Sequence, residues 1–187
     1  PKREQEIDGE HYHFVAPADF KRLIERGEML EWAEVFGNMY GTGRSEIKRI
    51  QQAGHDVLLE IDVQGWHYAR QKLDEATAIF ILPPSMAILW ERLEKRATEP
   101  LEVRFRRLMA AAGELEAAHI YDYFIINDGM DVAYQELVDI IVTKQPRSMG
   151  KAEGEARCRA LLEEMKTAPW VKEIKAQLAG GSNQESG

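Results

Sequence analysis

The chain has 187 residues, 44% of them apolar, and a formal net charge of -8. That suits one domain with room for small inserted lobes and enough apolar mass to fill a core. The acidic balance argues against a general nucleic-acid or membrane-surface binder, and no apolar run approaches the ~18–20 residues that span a bilayer.

Pro1 to Glu10 reads as a polar loop with a turn at Asp8-Gly9, and the chain opens as a processed or excerpted one would. His11 to Val15 alternates like a short strand. Pro17 to Arg26 carries Phe20, Leu23 and Ile24 at helical spacing and stops at Gly27. Met29 to Phe36 predicts a strand, Gly37-Asn38 a turn, and the following residues through Tyr40 a second strand. Glu46 to Gln52 predicts a helix ending at Gly54.

The texture then changes. Val57 to Ile61, Ala78 to Leu82 and Tyr123 to Ile126 are short apolar runs of the kind found in strands covered on both faces. Between and after them, helical spacing runs over Val63–Leu73, Ser85–Arg96, Glu102–Ile120 and Val132–Val142. Strands alternating with helices imply a parallel α/β sheet with right-handed crossovers. Lys151 to Met165 predicts a further helix, Pro169 a break, Val171 to Leu178 a shorter helix, and the residues from 179 on a disordered tail. No internal repeat is visible.

Several segments carry chemistry. Glu28 to Ser45 mixes Glu31, Trp32, Tyr40 and Thr42 with glycine turns, a mixture no core strand needs. Guanine offers N1–H and N2–H donors beside the O6 acceptor. A carboxylate accepts both donors and a hydroxyl donates to O6, so Glu31 and Thr42 are the right types. They are equally what a solvent-facing strand residue and a turn residue look like. Glu60 and Asp62 close the run LLEID, at a strand end where ligands gather in open parallel sheets. Carboxylates there suit magnesium or phosphate-proximal work, or plain solvation with Asp62 capping the next helix.

Arg92 and Arg96 share a helix face, and Arg104, Arg106 and Arg107 cluster early in the next helix, around a short loop over 97–101. Guanidinium groups match phosphate oxygens bidentately, so these helix ends could form a lid over anions. Glu91, Glu94, Glu99 and Glu102 offer the alternative of surface ion pairs. Arg3, Tyr12 and Tyr40 could hold a monophosphate, or the tyrosines could be ordinary packing aromatics. His11, His13, His55, His67 and His119 lack metal-ligand spacing, and the lone Cys158 fits a reducing cytosol.

In order along the chain stand Arg3…Glu6…Gly9…Tyr12, then MLEWAEVFGNMYGT at 29–42, LLEIDVQG at 58–65, ILPPS at 81–85, RLEKR at 92–96, Arg107 and YDYFIIND at 121–128. This set resembles guanylate kinase, the ATP-dependent GMP kinase family, over nearly all of residues 1–144. The resemblance implies a P-loop kinase-type parallel sheet flanked by helices, with an inserted GMP-binding lobe over 1–45 and a lid over 93–108. The core would then be 46–92 and 109–146, followed by a C-terminal helical segment over 147–178. It implies that Glu31 and Thr42 read guanine with Asp62 assisting. Arg3, Tyr12 and Tyr40 would hold the GMP phosphate, and Glu60 would lie near Mg2+ and the phosphates. Arg92, Arg96 and Arg107 would clamp the ATP phosphates and the transferring group, with Asn127 on the adenine side. No residue is assigned as a direct metal ligand. The implied partners are GMP and ATP, with no nucleic acid or membrane, in cytoplasmic purine nucleotide metabolism.

The departures are specific. No G-x-x-x-x-G-K-[ST] phosphate loop occurs in the 187 residues. The first arginine of the family's T-R-x-P-R-like segment would precede Pro1. Gln5 stands where the family usually has Gly, and Glu60 where it usually has Asp. Backbone N–H groups and a Lys of that loop cradle ATP phosphates. The expectation is therefore a fragment lacking the central strand and its loop, with turnover by this chain alone reduced by orders of magnitude. The rival class is an inactive guanylate-kinase-like domain that binds GMP or phosphopeptides.

Overall fold

The computed structural model describes residues 6–10, 12–35, 37–73, 75–95, 99–146 and 149–181. The backbone divides into two compact units, residues 1–76 and 77–187.

In the first unit, helix α1 (Pro17–Glu25) starts on a proline, whose fixed φ suits a first helical position. It ends where Gly27 takes φ +67°. There Gly27 N–H donates to Ile24 O at 2.9 Å and Glu28 N–H to Leu23 O at 2.9 Å, a Schellman closure. Strands β1 (Met29–Val35) and β2 (Asn38–Gly43) form an antiparallel hairpin. Its second strand reaches three residues further than the sequence predicts. Helix α2 (Arg44–Gln52) and helix α3 (Val63–Ala69) follow. Leu30, Ile47 and Ala69 form the buried centre, wrapped by Val57, Leu59, Ile61, Trp66 and Leu73.

Three expectations fail in this unit. Of the strand expected over His11–Val15, the described residues Tyr12–Val15 form none: there stand one bridge between Asp8 and Tyr12 and a tight Gly9 N–H to Tyr12 O bond of 2.8 Å. His11 itself lies outside the described residues. Val57–Ile61 forms no ladder either, since no neighbouring backbone among the described residues pairs with it. It is not covered on both faces: Val57, Leu59 and Ile61 pack inward while Leu58 is 74% exposed. Finally, α3 stops at Ala69 rather than Leu73, and Arg70–Lys72 form turns.

In the second unit, β3 (Ile79–Leu82) and β4 (Tyr123–Ile126) pair in parallel, Ile79 opposite Tyr123 through Leu82 opposite Ile126. The parallel α/β expectation holds for this pair, which is two strands wide among the described residues. Helices α4 (Met86–Lys95) and α5 (Leu101–Leu115) and a 3-10 turn (Ala118–Ile120) make the crossover. The long helix expected to reach Ile120 thus tightens and ends early. Helix α6 (Met130–Thr143) follows β4 and closes on Lys144 at φ +54°.

The C-terminal helices are α7 (Lys151–Thr167) and α8 (Pro169–Gly181). The break expected at Pro169 is present: α7 ends at Thr167, Ala168 is extended, and Pro169 opens α8, which starts before Val171 and runs past Leu178 into the glycines assigned to a tail. Residues 182–187 of that tail lie outside the described residues. Helix α7 is seated closely. Gly154 faces Phe124, and Cys158, Leu161 and Met165 are buried. Glu164 accepts bonds from Met86 N–H at 3.0 Å and Ala87 N–H at 2.9 Å, and Ser85 Oγ accepts from Ile88 N–H at 3.0 Å. Most of the orphan donors at the start of α4 are thereby satisfied.

Burial lifts the Cys158 thiol to a pKa of about 11. The neutral thiol therefore stabilises the fold fully below the unfolded-state value of ~8.5, and that contribution fades as pH rises towards the folded value. In urea titrations, stability should fall by about 1.4 kcal/mol per pH unit across this window beyond whatever a Cys158→Ala control shows. Equal slopes in the two proteins would refute it.

Candidate nucleotide site

The hairpin places the first group of residues. Glu31 and Thr42 are cross-strand partners, and Thr42 Oγ1 donates to Glu31 Oε1 at 2.7 Å. Glu31 is only 8% exposed, so its carboxylate sits in a recess, not on a solvated strand face. Tyr40 lies two residues from Thr42 and so shares its face of the hairpin. The Tyr12 ring meets Tyr40 edge-on at 6.2 Å, and both rings remain exposed enough for their hydroxyls to meet a ligand.

Asp62 caps α3 by accepting from Gly65 N–H at 2.7 Å. The capping and functional readings of this residue coexist, because it also borders Glu31 across Gly65. A Cβ at Gly65 would lie 3.3 Å from Asp62 Oδ1 and 3.5 Å from Glu31 Oε2. The bare glycine lets two acidic groups approach the same space. Sequence reasoning did not single out Gly65; its signal was the Asp62-x-x-Gly65 spacing at a helix start. Gly41 is likewise required. A Cβ there would come within 2.5 Å of Glu31 O and 2.8 Å of Trp32 Cβ, too near for the hairpin to keep its register.

Tyr12, Glu31, Tyr40, Thr42 and Asp62 are thus gathered in the first unit. Glu60 is exposed at the end of the extended run, two residues before Asp62. Arg3 lies outside the described residues. Among the described residues no three His, Cys, Asp or Glu side chains converge on a metal-sized point.

The second unit carries the cationic candidates. Arg92 is half-buried in the last turn of α4 and has no ion pair among the described residues. Arg107 donates to Glu99 Oε1 at 2.6 Å. Arg104 stacks over Trp90, 5.5 Å from the ring centre, and stands 3.6 Å from Glu94. The surface-pairing alternative therefore describes Arg104 and Arg107 as they stand here. Such half-exposed pairs contribute little, on the order of 0–1 kcal/mol, and yield readily to a phosphate. Arg96 lies outside the described residues. Asn127 sits just past β4, its N–H bonded to Leu82 O at 2.8 Å, at the carboxyl ends of the parallel strands.

Known proteins supply the comparison. A family model described as guanylate kinase matches residues 1–144. The guanylate kinase of Chromobacterium violaceum is 44% identical over 146 residues, 78% of this chain and 70% of that protein. The Bordetella pertussis guanylate kinase is 47% identical over 150 residues, 80% of this chain and 70% of its own length. The crystal structure of guanylate kinase from Anaplasma phagocytophilum superposes with a TM-score of 0.61 at 33% identity, covering 88% of this chain and 79% of that one. Fold and relatives together define a nucleoside monophosphate kinase of the α/β P-loop type. Within that class, the chain belongs to the guanylate kinase family. The inactive binding-module alternative gains no support from these relatives.

Proposed function

We propose that this chain recognises GMP through its first unit and serves transfer of the γ-phosphoryl group of ATP to GMP, giving ADP and GDP. The observation that carries the reading is the buried Glu31 carboxylate with the Thr42 hydroxyl 2.7 Å away. Adjacent acceptor and hydroxyl match the N2–H, N1–H and O6 edge of guanine. The hydroxyl donates to the carboxylate. With guanine seated, the carboxylate accepts the two base donors and the hydroxyl turns to O6. Asp62 borders the same space. Tyr12, Tyr40 and Arg3 supply donors for the GMP phosphate.

The GMP phosphate oxygen is already a nucleophile at neutral pH, so no general base is invoked. Arg92, Arg96 and Arg107 neutralise charge on the transferring group, Arg107 exchanging Glu99 for phosphate. Asn127 lies on the adenine side. These roles give 1–45 the part of a GMP lobe and 93–108 that of a lid, in a purine nucleotide pathway of the cytoplasm. Mg2+ commonly takes one or two carboxylates and completes its shell with phosphates and water. Glu60 is exposed and, among the described residues, stands in no carboxylate cage, which fits an ion brought in on the nucleotide. Glu60 would lie beside such an ion, whose positive charge would offset that of the phosphates.

The sequence contains no G-x-x-x-x-G-K-[ST] loop, so the decisive assay supplies one. Joined to an upstream strand carrying that loop, the chain should convert ATP and GMP to ADP and GDP in equal amounts with Mg2+. AMP, CMP and UMP should be poor acceptors. A joined, folded chain that leaves GMP untouched would defeat the kinase reading.

A further inference from the structure

Strand β1 carries an irregularity whose support comes from outside the hairpin. Met29 pairs with Gly43 and Glu31 with Thr42, so β1 advances two residues while β2 advances one. Leu30 is the extra residue of a β-bulge. A bulge re-aims the side chains beyond it, because strand residues otherwise alternate strictly between faces. Here Leu30 points into the core with Ile47 and Ala69, while the next residue, Glu31, still faces Thr42. Without the extra residue, Glu31 could not both follow Leu30 and keep Thr42 as its partner.

A bulge also leaves backbone groups outside the ladder, and buried ones need partners. Lys72 provides them. Its ammonium donates to Leu30 O at 2.6 Å and to Met29 O at 3.2 Å. Lys72 stands in the turn after α3, whose start holds Asp62 and Gly65. One side chain therefore ties the far end of the Asp62 helix to the bulge that aims Glu31.

We propose that Lys72 is a positioning residue for base recognition: it fixes the Leu30 bulge and so holds Glu31 in register with Thr42. The proposal rests on the reading of Glu31 and Thr42 as the guanine-facing pair. A purely structural lysine would change stability but not the choice between bases.

The test is calorimetric titration of the 187-residue chain with GMP and with inosine monophosphate, which lacks the N2 amine. Lys72→Met keeps the alkyl stem and removes the donors. It should weaken GMP binding by about tenfold, the equivalent of one good hydrogen bond, and bring the two affinities close together. Lys72→Arg, which keeps donors and charge, should restore most of the preference for GMP. If Lys72→Met fails to fold, Lys72→Gln carries the same comparison with an intermediate loss expected. A folded Met or Gln variant that keeps the wild-type preference within twofold overturns the proposal. A wild-type chain without preference for GMP overturns the pocket reading itself, and the role of Lys72 with it.

Discussion

Glu31→Gln should cost GMP binding about 2–3 kcal/mol, roughly a hundredfold in affinity, with little loss of stability. The carboxylate is buried and accepts from Thr42 Oγ1 at 2.7 Å, leaving its remaining capacity for a ligand. Glutamine keeps the shape, and Thr42 can still donate to its carbonyl. It cannot accept two guanine donors, because its amide nitrogen confronts one of them with a donor. Inosine monophosphate presents one of these donors fewer, so its affinity should fall less. Titration calorimetry of wild type and variant, with thermal melts as the folding control, checks this. An unchanged GMP affinity in a folded variant would mean that Glu31 does not read the base.

The largest effect on stability is expected at Gly154. A Cβ there would lie 2.2 Å from Phe124 Cγ and Cδ2 and 2.7 Å from Phe124 Cβ. Phe124 is fully buried on β4, paired with Phe80 across the parallel ladder, so rotating the ring does not open the space. Either α7 lifts from the sheet or β4 shifts. Gly154→Ala should destabilise the second unit by about 3 kcal/mol, at the upper end of the usual cost of overpacking. Gly113 is the control. It is exposed within α5 and a Cβ there would meet nothing within 4 Å. Gly113→Ala should instead stabilise by roughly 0.5–1 kcal/mol from helix propensity. Urea titrations of both variants separate packing from propensity. Equal behaviour would show that α7 is not seated on β4 through Gly154.

Local signals made much of the fold legible. Pro17 and Gly27 bracket α1, Gly37-Asn38 marks the hairpin, and Ser85 starts α4. Each acts through its own backbone or its nearest turn, so a single sequence carries the information. Strand pairing does not work that way. Val57–Ile61 has the composition of a core strand, yet a ladder requires a neighbour, and composition cannot say whether one is present. His11–Val15 alternates in sequence, but Tyr12 O accepts from Gly9 N–H of the preceding turn rather than from a partner strand.

The candidate site divides along the same line. Residue types named Glu31, Thr42, Tyr40 and Asp62, and the hairpin brings the first three together. What aims them was not legible. The bulge at Leu30 is a matter of register, and Lys72 looks in sequence like any solvated lysine. Gly65 matters for an atom it lacks. Glu164 caps a helix 77 residues before it in the chain, beyond the reach of any local pattern. The arginine cluster offered two partners, glutamate or phosphate. Glu99 holds Arg107, since a nearby carboxylate is the partner at hand.

The most direct test of the central claim is titration of the 187-residue chain with GMP and with AMP under identical conditions. AMP carries the same ribose and phosphate, so the phosphate contacts proposed for Arg3, Tyr12 and Tyr40 would serve both alike. Only the base edge offered to Glu31 and Thr42 differs. The pocket predicts GMP binding at least tenfold tighter than AMP, a gap of about 1.4 kcal/mol or more. Equal affinities would contradict it.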